Sequence, residues 1–306
     1  MHPEYYFEQA EKVIQRYNFK KPFMLMLKAF FKENRKMGKR DRENISTLCL
    51  NYFRASKLFD SNNDTKSKIK LANRYLLDEE RDQYLLAYLK NQMHDYEEPG
   101  SSIFDDYFPV SSQISSEIER EVFIKKHFKI PSFFIRIRKN QELVLNELKE
   151  LNIDFEGIND ECLRIEQGSV LQNSRSYQRG FFEIQDLASQ ELIKSLPKIN
   201  TNAKVWDCCC GAGGKSIHLK DLKPNINLFS SDKRSGILKN FELRIKRNEL
   251  ELREPIQFDL LVSEALNPWG TKFEMILADL PCSGSGTWHR TPEHLVYFNT
   301  EKLEEY

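Results

Sequence analysis

A proline–cysteine pair inside a loop of small residues is the first candidate for chemistry in this sequence. Cys282 follows Pro281 in residues 279–287, which read D-L-P-C-S-G-S-G-T. A thiolate that adds to C6 of a cytosine makes C5 nucleophilic enough to attack a methyl-sulfonium, once the base has left its stack. Cys282 and Asp279, which can hold the N3 edge or the exocyclic amine of the base, are therefore candidate catalytic residues. The alternative interpretation of Cys282 is a buried structural cysteine.

A glycine-rich loop at residues 208–216 is the second candidate site, because small residues let a backbone approach a ligand closely. The loop reads C-C-C-G-A-G-G-K-S and follows a short strand that ends at Asp207. A phosphate-binding P-loop needs glycine where Cys209 stands, and a dinucleotide fingerprint needs glycine where Ser216 stands. A nucleoside ligand without phosphates, such as S-adenosylmethionine, remains open, and so does a tight turn that binds nothing.

Acidic residues at the ends of two further strands support a nucleoside ligand. Asp232 ends residues 227–232 and can accept hydrogen bonds from two ribose hydroxyls. Asp259 ends residues 255–259 and can accept from an adenine amino group. A helix cap or a loop acid is the alternative interpretation of each residue.

The elements that must position these residues alternate between strand and helix from about Ser174 onward. The predicted strands are residues 204–207, 227–232, 255–259 and 275–279. Such alternation predicts a parallel, doubly wound sheet whose ligands lie beyond the carboxyl ends of the strands.

The sequence upstream predicts a multidomain chain. We expect an all-α N-terminal module at residues 1–93, with a helix that Lys39 opens and another over residues 78–93. An acidic linker rich in serine and proline follows at residues 94–116. We expect Phe104, Tyr107 and Phe108 to fix this linker to a surface. A small α+β module at residues 117–172 has strands at 133–138 and 162–165, and a Rossmann-like α/β domain with an incomplete sheet covers residues 173–306.

Charge along the chain separates two regions, although the 306 residues hold 46 basic and 46 acidic side chains. Residues 1–70 contain 16 Lys and Arg against 8 Asp and Glu, whereas residues 71–120 contain 4 against 11. The basic region predicts a surface for a polyanion such as RNA, and a solvated helical surface is the alternative.

The remaining composition narrows the class of protein. The six cysteines show no zinc-ligand spacing, so we expect neither a metal site nor a disulfide framework. No apolar run is long enough to cross a bilayer, and the N-terminus does not look like a secretory signal. We expect a reduced, cytoplasmic protein, acting as a monomer.

At these motifs the sequence resembles the Sun family of RNA (cytosine-5) methyltransferases. The family pattern D-x-C-A-A-P-G-G-K stands here as D-C-C-C-G-A-G-G-K at 207–215, and D-A-P-C-S-G-x-G stands as D-L-P-C-S-G-S-G at 279–286. Residues 180–186 are similar to the family's G-x-x-x-x-Q-D entry, and residues 136–138 to its R-V-N strand. The resemblance covers roughly residues 130–298, and Ala212 departs from it where the family has proline.

The resemblance implies S-adenosylmethionine as the cofactor, with cytosine in RNA as the substrate. It places Cys209, Cys210, Gly211, Ala212, Gly213, Gly214, Lys215, Asp232, Asp259 and Asp279 at the cofactor. It also implies that Cys282 assists breakdown of a covalent adduct, while a second cysteine, in a Thr-Cys-Ser segment on a later strand, attacks the base.

The N-terminal helices, with G-K-R-D-R at 38–42, resemble the RNA-binding module related to antitermination factor NusB, which favours ribosomal RNA over tRNA. The chain ends before any Thr-Cys-Ser segment, so we expect a truncated protein whose fourth strand is an exposed apolar edge. A non-catalytic RNA-binding or cofactor-binding protein is the alternative function.

Overall fold

The computed structural model describes residues 2–59, 62–100, 107–108, 115–129, 131–165, 171–262, 267–298 and 301. The chain divides into two compact units, one formed by residues 1–131 with 282–306 and the other by residues 132–281. Phe104 and the acids Asp105 and Asp106 of the predicted linker lie outside the described residues.

The first unit is helical, as the sequence predicts. Its N-terminal part contains α1 (Pro3–Arg16), α2 (Phe23–Glu33), α3 (Lys39–Ala55), α4 (Thr65–Leu76), α5 (Gln83–Gln92) and α6 (Arg120–Phe128). Helix α3 begins where Asp41 accepts a hydrogen bond from the Gly38 backbone N–H at 2.9 Å, which satisfies a donor at the helix start. Phe7, Ile45 and Leu48 are fully buried in the core between α1 and α3.

The second unit begins with a small antiparallel sheet. Its elements are β1 (Phe133–Ile137), α7 (Gln141–Glu150), β2 (Phe155–Gly157), β3 (Cys162–Ile165), α8 (Arg175–Gln178) and β4 (Phe182–Ile184), and the strand order is β2-β3-β1-β4. Ile135 of β1 lies opposite Leu163 on one side and Ile184 on the other. Strand β3 has the bounds predicted for it, and β1 ends one residue early.

A parallel sheet completes the second unit. Its elements are α9 (Leu187–Lys194), β5 (Lys204–Asp207), α10 (Gly214–Leu222), β6 (Asn227–Asp232), α11 (Ser235–Arg247), β7 (Ile256–Gln257) and β8 (Met275–Leu277), and the strand order is β7-β6-β5-β8. The doubly wound, parallel arrangement is confirmed, with Trp206 of β5 opposite Phe229 of β6 and Ile276 of β8. Within the described residues β8 is an edge strand, and Ile276 is 55% exposed.

The third and fourth strands of the parallel sheet are shorter than predicted. Ladder pairing ends at Gln257 in β7 and at Leu277 in β8, so Asp259 and Asp279 lie in loops two residues beyond the strands. Asp207 and Asp232, by contrast, end β5 and β6 as predicted.

Residues 282–298 pack with the N-terminal helices of the first unit. Helix α12 (Glu293–Tyr297) contacts α3, and Trp288 is buried beside Phe108 and Phe298. The compact units therefore cross the predicted segment boundaries, because both α6 and residues 282–298 belong to the helical unit. The division of the chain into four segments with separate functions remains a proposal. No helix in the described ranges is both long and apolar enough to span a bilayer.

Candidate active site

The glycine-rich loop connects β5 to α10 and is fixed by the neighbouring strands. The Cys208 backbone N–H donates to the Leu277 carbonyl at 3.1 Å, and that of Cys210 donates to the Ser231 carbonyl at 2.9 Å. Gly213 has a φ of +84°, and a Cβ there would lie 2.7 Å from the ring of Phe241. The glycine therefore allows both the left-handed turn and the close approach of α11.

Asp232 is joined directly to this loop. Its Oδ2 accepts a hydrogen bond from the Gly211 N–H at 3.0 Å, so the acid at the tip of β6 and the loop after β5 are adjacent. Arg234 pairs with the same carboxylate. Burial raises the pKa of Asp232, but the hydrogen bonds from Arg234 and Gly211 outweigh it and leave the pKa below its ordinary value.

A cavity of about 320 Å³ opens beside Asp232 and Arg234. Its lining consists of Cys209, Asp232, Lys233, Arg234, Phe258, Asp259, Leu260, Leu261 and Pro281. The cavity thus brings together three residues predicted for the cofactor, which come from three separate strand ends. Arg234, Phe258 and Leu261 were not predicted, because nothing in their local sequence marks them as lining residues.

The other predicted cofactor residues lie outside that lining. Cys210 is buried, and the Cβ positions of Gly213 and Gly214 face α11 rather than the cavity. Lys215 forms an ion pair with Asp279. The pair links the first turn of α10 to the loop after β8, so the two predicted residues contact each other.

Asp207 is a further acid at this site. The sequence marked it only as the end of a strand and not as a site residue. It is 1% exposed, and its Oδ2 accepts a hydrogen bond from Ser216 Oγ at 2.5 Å. Its Oδ1 has no hydrogen-bond partner among the described residues. Burial, with the nearby charge of Asp279, raises the pKa of Asp207 to about 6.

These features fit an adenosyl cofactor. The volume lies at the lower end of the range for small-molecule sites, and the lining combines carboxylates with apolar side chains. Asp232 and Asp259 supply acceptors for hydroxyl and amino groups, while Phe258 and Leu261 supply apolar surface for a purine. Asp207, the residue directly before the loop, also has a buried Oδ1 without a hydrogen-bond partner in the part of the chain that the structure describes.

Comparison with known proteins identifies the domain that carries this geometry. Residues 195–303 match the family model described as 16S rRNA methyltransferase RsmB/F. This part of the chain is therefore similar to the RsmB/F methyltransferases. The RsmB/F match begins before β5 and covers the loop, the cavity and the Pro-Cys motif, so the resemblance that these motifs indicated is confirmed.

Similar proteins support the same family. The chain is 27% identical over 191 residues to ribosomal RNA small subunit methyltransferase B of Shewanella oneidensis, covering 61% of this chain and 44% of that protein. It is 31% identical over 122 residues to the protein of the same name from Pseudomonas syringae, covering 38% and 26%. The chain therefore matches less than half the length of each of these two relatives.

One solved structure shares the fold. The crystal structure of PH0851 aligns with a TM-score of 0.72 at 18% identity, covering all of this chain and 80% of that one. The NusB-like character of the N-terminal helices stays a prediction.

The Pro-Cys motif, which lies in the matched segment, has an exposed thiol. Cys282 is exposed, and it directly follows Pro281, which lines the cavity. Trp288 follows the motif and is a residue type that can stack on a base, but its indole is only 2% exposed and packs against Phe108, so in this structure it offers no face for stacking.

Proposed function

We propose that this chain takes part in S-adenosylmethionine-dependent methylation of cytosine C5 in RNA. The observation that carries the proposal is the single cavity lined by Cys209, Asp232 and Asp259, inside a domain of the RsmB/F family. The cofactor would supply an electrophilic methyl group on a sulfonium. The residues of the chain would bind it, orient the base and handle the covalent adduct.

The cofactor would be recognised by carboxylates and apolar surface. Asp232 would accept hydrogen bonds from the ribose hydroxyls, and Asp259 from the adenine amino group. Phe258 and Leu261, both in the cavity wall, would contact the purine. Cys209 to Lys215 would form the close backbone approach that a cofactor without phosphates needs.

The base would be held at the Pro-Cys motif. Asp279 would orient the cytosine through its N3 edge or exocyclic amine, and Lys215 is its charge partner. Cys282, which is exposed, would assist the elimination step that releases the methylated base. The attacking thiol of the resembled family lies in a Thr-Cys-Ser segment, a sequence that residues 1–306 do not contain.

Ribosomal RNA is the proposed substrate class, because the relatives are named ribosomal RNA small subunit methyltransferases. The basic region at residues 1–70 supports a polyanion partner. Transfer RNA is the competing substrate. Parallel methylation assays on purified 16S rRNA and tRNA would decide between them.

Cofactor binding is the direct test of the site. Titration calorimetry should show S-adenosylmethionine binding to the chain and no binding of ATP, since the loop lacks the P-loop glycine. Asp232→Ala should weaken binding by at least about tenfold, because a good hydrogen bond to a charged group contributes at least about 1.4 kcal/mol. Asp154→Ala, at an exposed acid on the same unit, is the control. An unchanged dissociation constant in Asp232→Ala would remove this residue from the ribose site.

The chemical step is tested with RNA that contains 5-fluorocytosine. A form that carries this chain together with the family's Thr-Cys-Ser segment should form a covalent adduct, visible as a shifted band in a denaturing gel. In that form Cys282→Ala should accumulate adducts on ordinary RNA. If Cys282→Ala instead abolished adducts, Cys282 would be the attacking thiol. Cofactor binding without any adduct would favour the non-catalytic alternative.

A further inference from the structure

A buried ionic cluster lies behind the glycine-rich loop. Glu183 of β4 is 1% exposed and pairs with Arg244 and Arg247 of α11. The side-chain amide of Asn248 donates to the same carboxylate at 2.5 Å. A carboxylate removed from water in this way needs such cationic partners, so its position is strongly determined by them.

Only one of the two arginines also reaches the loop. Arg244 Nη2 pairs with Glu183, while its Nη1 donates to the Ala212 carbonyl at 3.2 Å. A Cβ placed on Gly214 would lie 3.8 Å from both terminal nitrogens, so the guanidinium lies beside the loop backbone. Arg247 instead lies over the ring of Tyr177, at 3.8 Å from its centroid.

The loop needs such a restraint. Residues 208–216 contain no proline, and Gly211 and Gly213 both have positive φ, so the backbone has wide conformational freedom when it is not held. A planar guanidinium with donors at fixed angles can hold a carbonyl and a carboxylate together, which a single ammonium group cannot do in the same geometry. Gln185 adds a weaker contact, from its Nε2 to the Gly214 carbonyl at 3.4 Å.

We infer that Arg244 is a positioning residue for the cofactor loop: it fixes the Ala212 carbonyl to buried Glu183 and so holds Gly211 and Gly213 in the binding conformation. The inference rests on the proposed function only for the identity of the ligand. The preorganised loop itself exists without the ligand, and its rigidity can be measured directly.

The matched pair Arg244→Lys and Arg247→Lys separates positioning from stability. Both variants perturb the ion pair with Glu183, so both should lower the melting temperature. Hydrogen exchange of the ligand-free protein should accelerate at least about tenfold in peptides spanning residues 208–216 of Arg244→Lys, relative to Arg247→Lys. Equal exchange of this loop in the two variants would overturn the inference whether or not the chain binds the cofactor.

Calorimetry with S-adenosylmethionine then tests the consequence for binding. We expect Arg244→Lys to raise the dissociation constant about tenfold, and Arg247→Lys to change it less than about twofold. Added guanidinium should restore affinity to Arg244→Ala and not to Arg247→Ala. Equal loss of affinity in the two lysine variants would overturn the inference. Failure of the unaltered chain to bind would overturn the proposed function instead, and the exchange result would still decide the role of Arg244.

Discussion

Replacing the imidazole of His218 with an apolar side chain should remove a loss of stability that the second unit suffers as the pH falls. His218 lies on α10 and is fully buried, and neither ring nitrogen has a hydrogen-bond partner among the described residues. Burial, with the nearby positive charge of Arg136, lowers the pKa of His218 from 6.5 to about 3. The folded protein therefore keeps this ring neutral at pH values where the unfolded chain protonates it.

The sign and size of the effect follow from proton linkage. Between pH 6.5 and pH 3 the unfolded state binds a proton at His218 that the folded state does not, so stability falls as the pH falls. At pH 5.0, which is 1.5 units below the ordinary value, the loss approaches about 2 kcal/mol, at about 1.36 kcal/mol per unit. Relaxation and solvent screening reduce such penalties, so we expect a loss between about 1 and 2 kcal/mol.

Urea unfolding of the wild type and of His218→Leu at pH 7.5 and 5.0 measures how much His218 lowers the free energy of unfolding at each pH. Near pH 7.5 the variant should be equal to the wild type or more stable by about 1 kcal/mol, because two unsatisfied polar atoms are removed. At pH 5.0 its advantage should grow by a further 1 to 2 kcal/mol, roughly. The opposing contribution of Asp207, whose pKa is raised to about 6, is present in both proteins and cancels in the comparison.

A conservative substitution of the neighbouring residue Ile217 supplies the control. Ile217 is fully buried next to His218 and does not titrate, so Ile217→Val should lower stability by about 1 kcal/mol equally at both pH values. If the stability of His218→Leu changed between the two pH values as much as that of the wild type, His218 would not be the buried neutral group described above.

Two further substitutions test the support of the loop. Gly213→Ala should destabilise the protein by about 1 to 3 kcal/mol in thermal or urea unfolding, because the residue has a φ of +84° and a Cβ would meet Phe241 at 2.7 Å. Unchanged stability would show that the backbone can relax there. Glu183→Gln should cost about 3 to 5 kcal/mol, because it leaves Arg244 and Arg247 without their buried counter-charge. A stability equal to that of the wild type would mean that water reaches this cluster.

The sequence alone predicted the structure correctly where the local residue pattern determines it. Strands β5 and β6 have the predicted bounds, because short apolar runs bordered by polar residues fit only a buried parallel strand in that context. Asp232 and the glycine-rich loop are adjacent because parallel strands bring their carboxyl ends to one edge of the sheet. The topology alone thus places these two predicted features together.

Contacts between distant residues were not predictable in this way. Residues 279–287 predicted a reactive loop, but nothing near Trp288 shows that its indole packs against Phe108, far away in the sequence. The pairing of Arg244 with Glu183 likewise joins residues 61 positions apart. Such partners depend on how the elements pack, and a single sequence contains no periodic signal for them.

The four hydrogen bonds at Asp232 bear directly on its proposed role as the acid that binds the ribose. Oδ1 accepts from the backbone N–H and the Nε of Arg234, both at 2.9 Å, and Oδ2 accepts from Gly211 N–H and Arg234 Nη2, both at 3.0 Å. An ionised carboxylate has about four acceptor positions, so this one is already saturated.

Two ribose hydroxyls can therefore reach Asp232 only if the Arg234 side chain leaves, while the two backbone donors remain. The Arg234 side chain is 63% exposed, and water can solvate it after it moves, so the exchange loses little free energy. The two backbone hydrogen bonds keep the carboxylate oriented throughout the exchange. Asp232 thus combines a fixed orientation with a replaceable partner, as its proposed role at the ribose of an exchangeable cofactor would require.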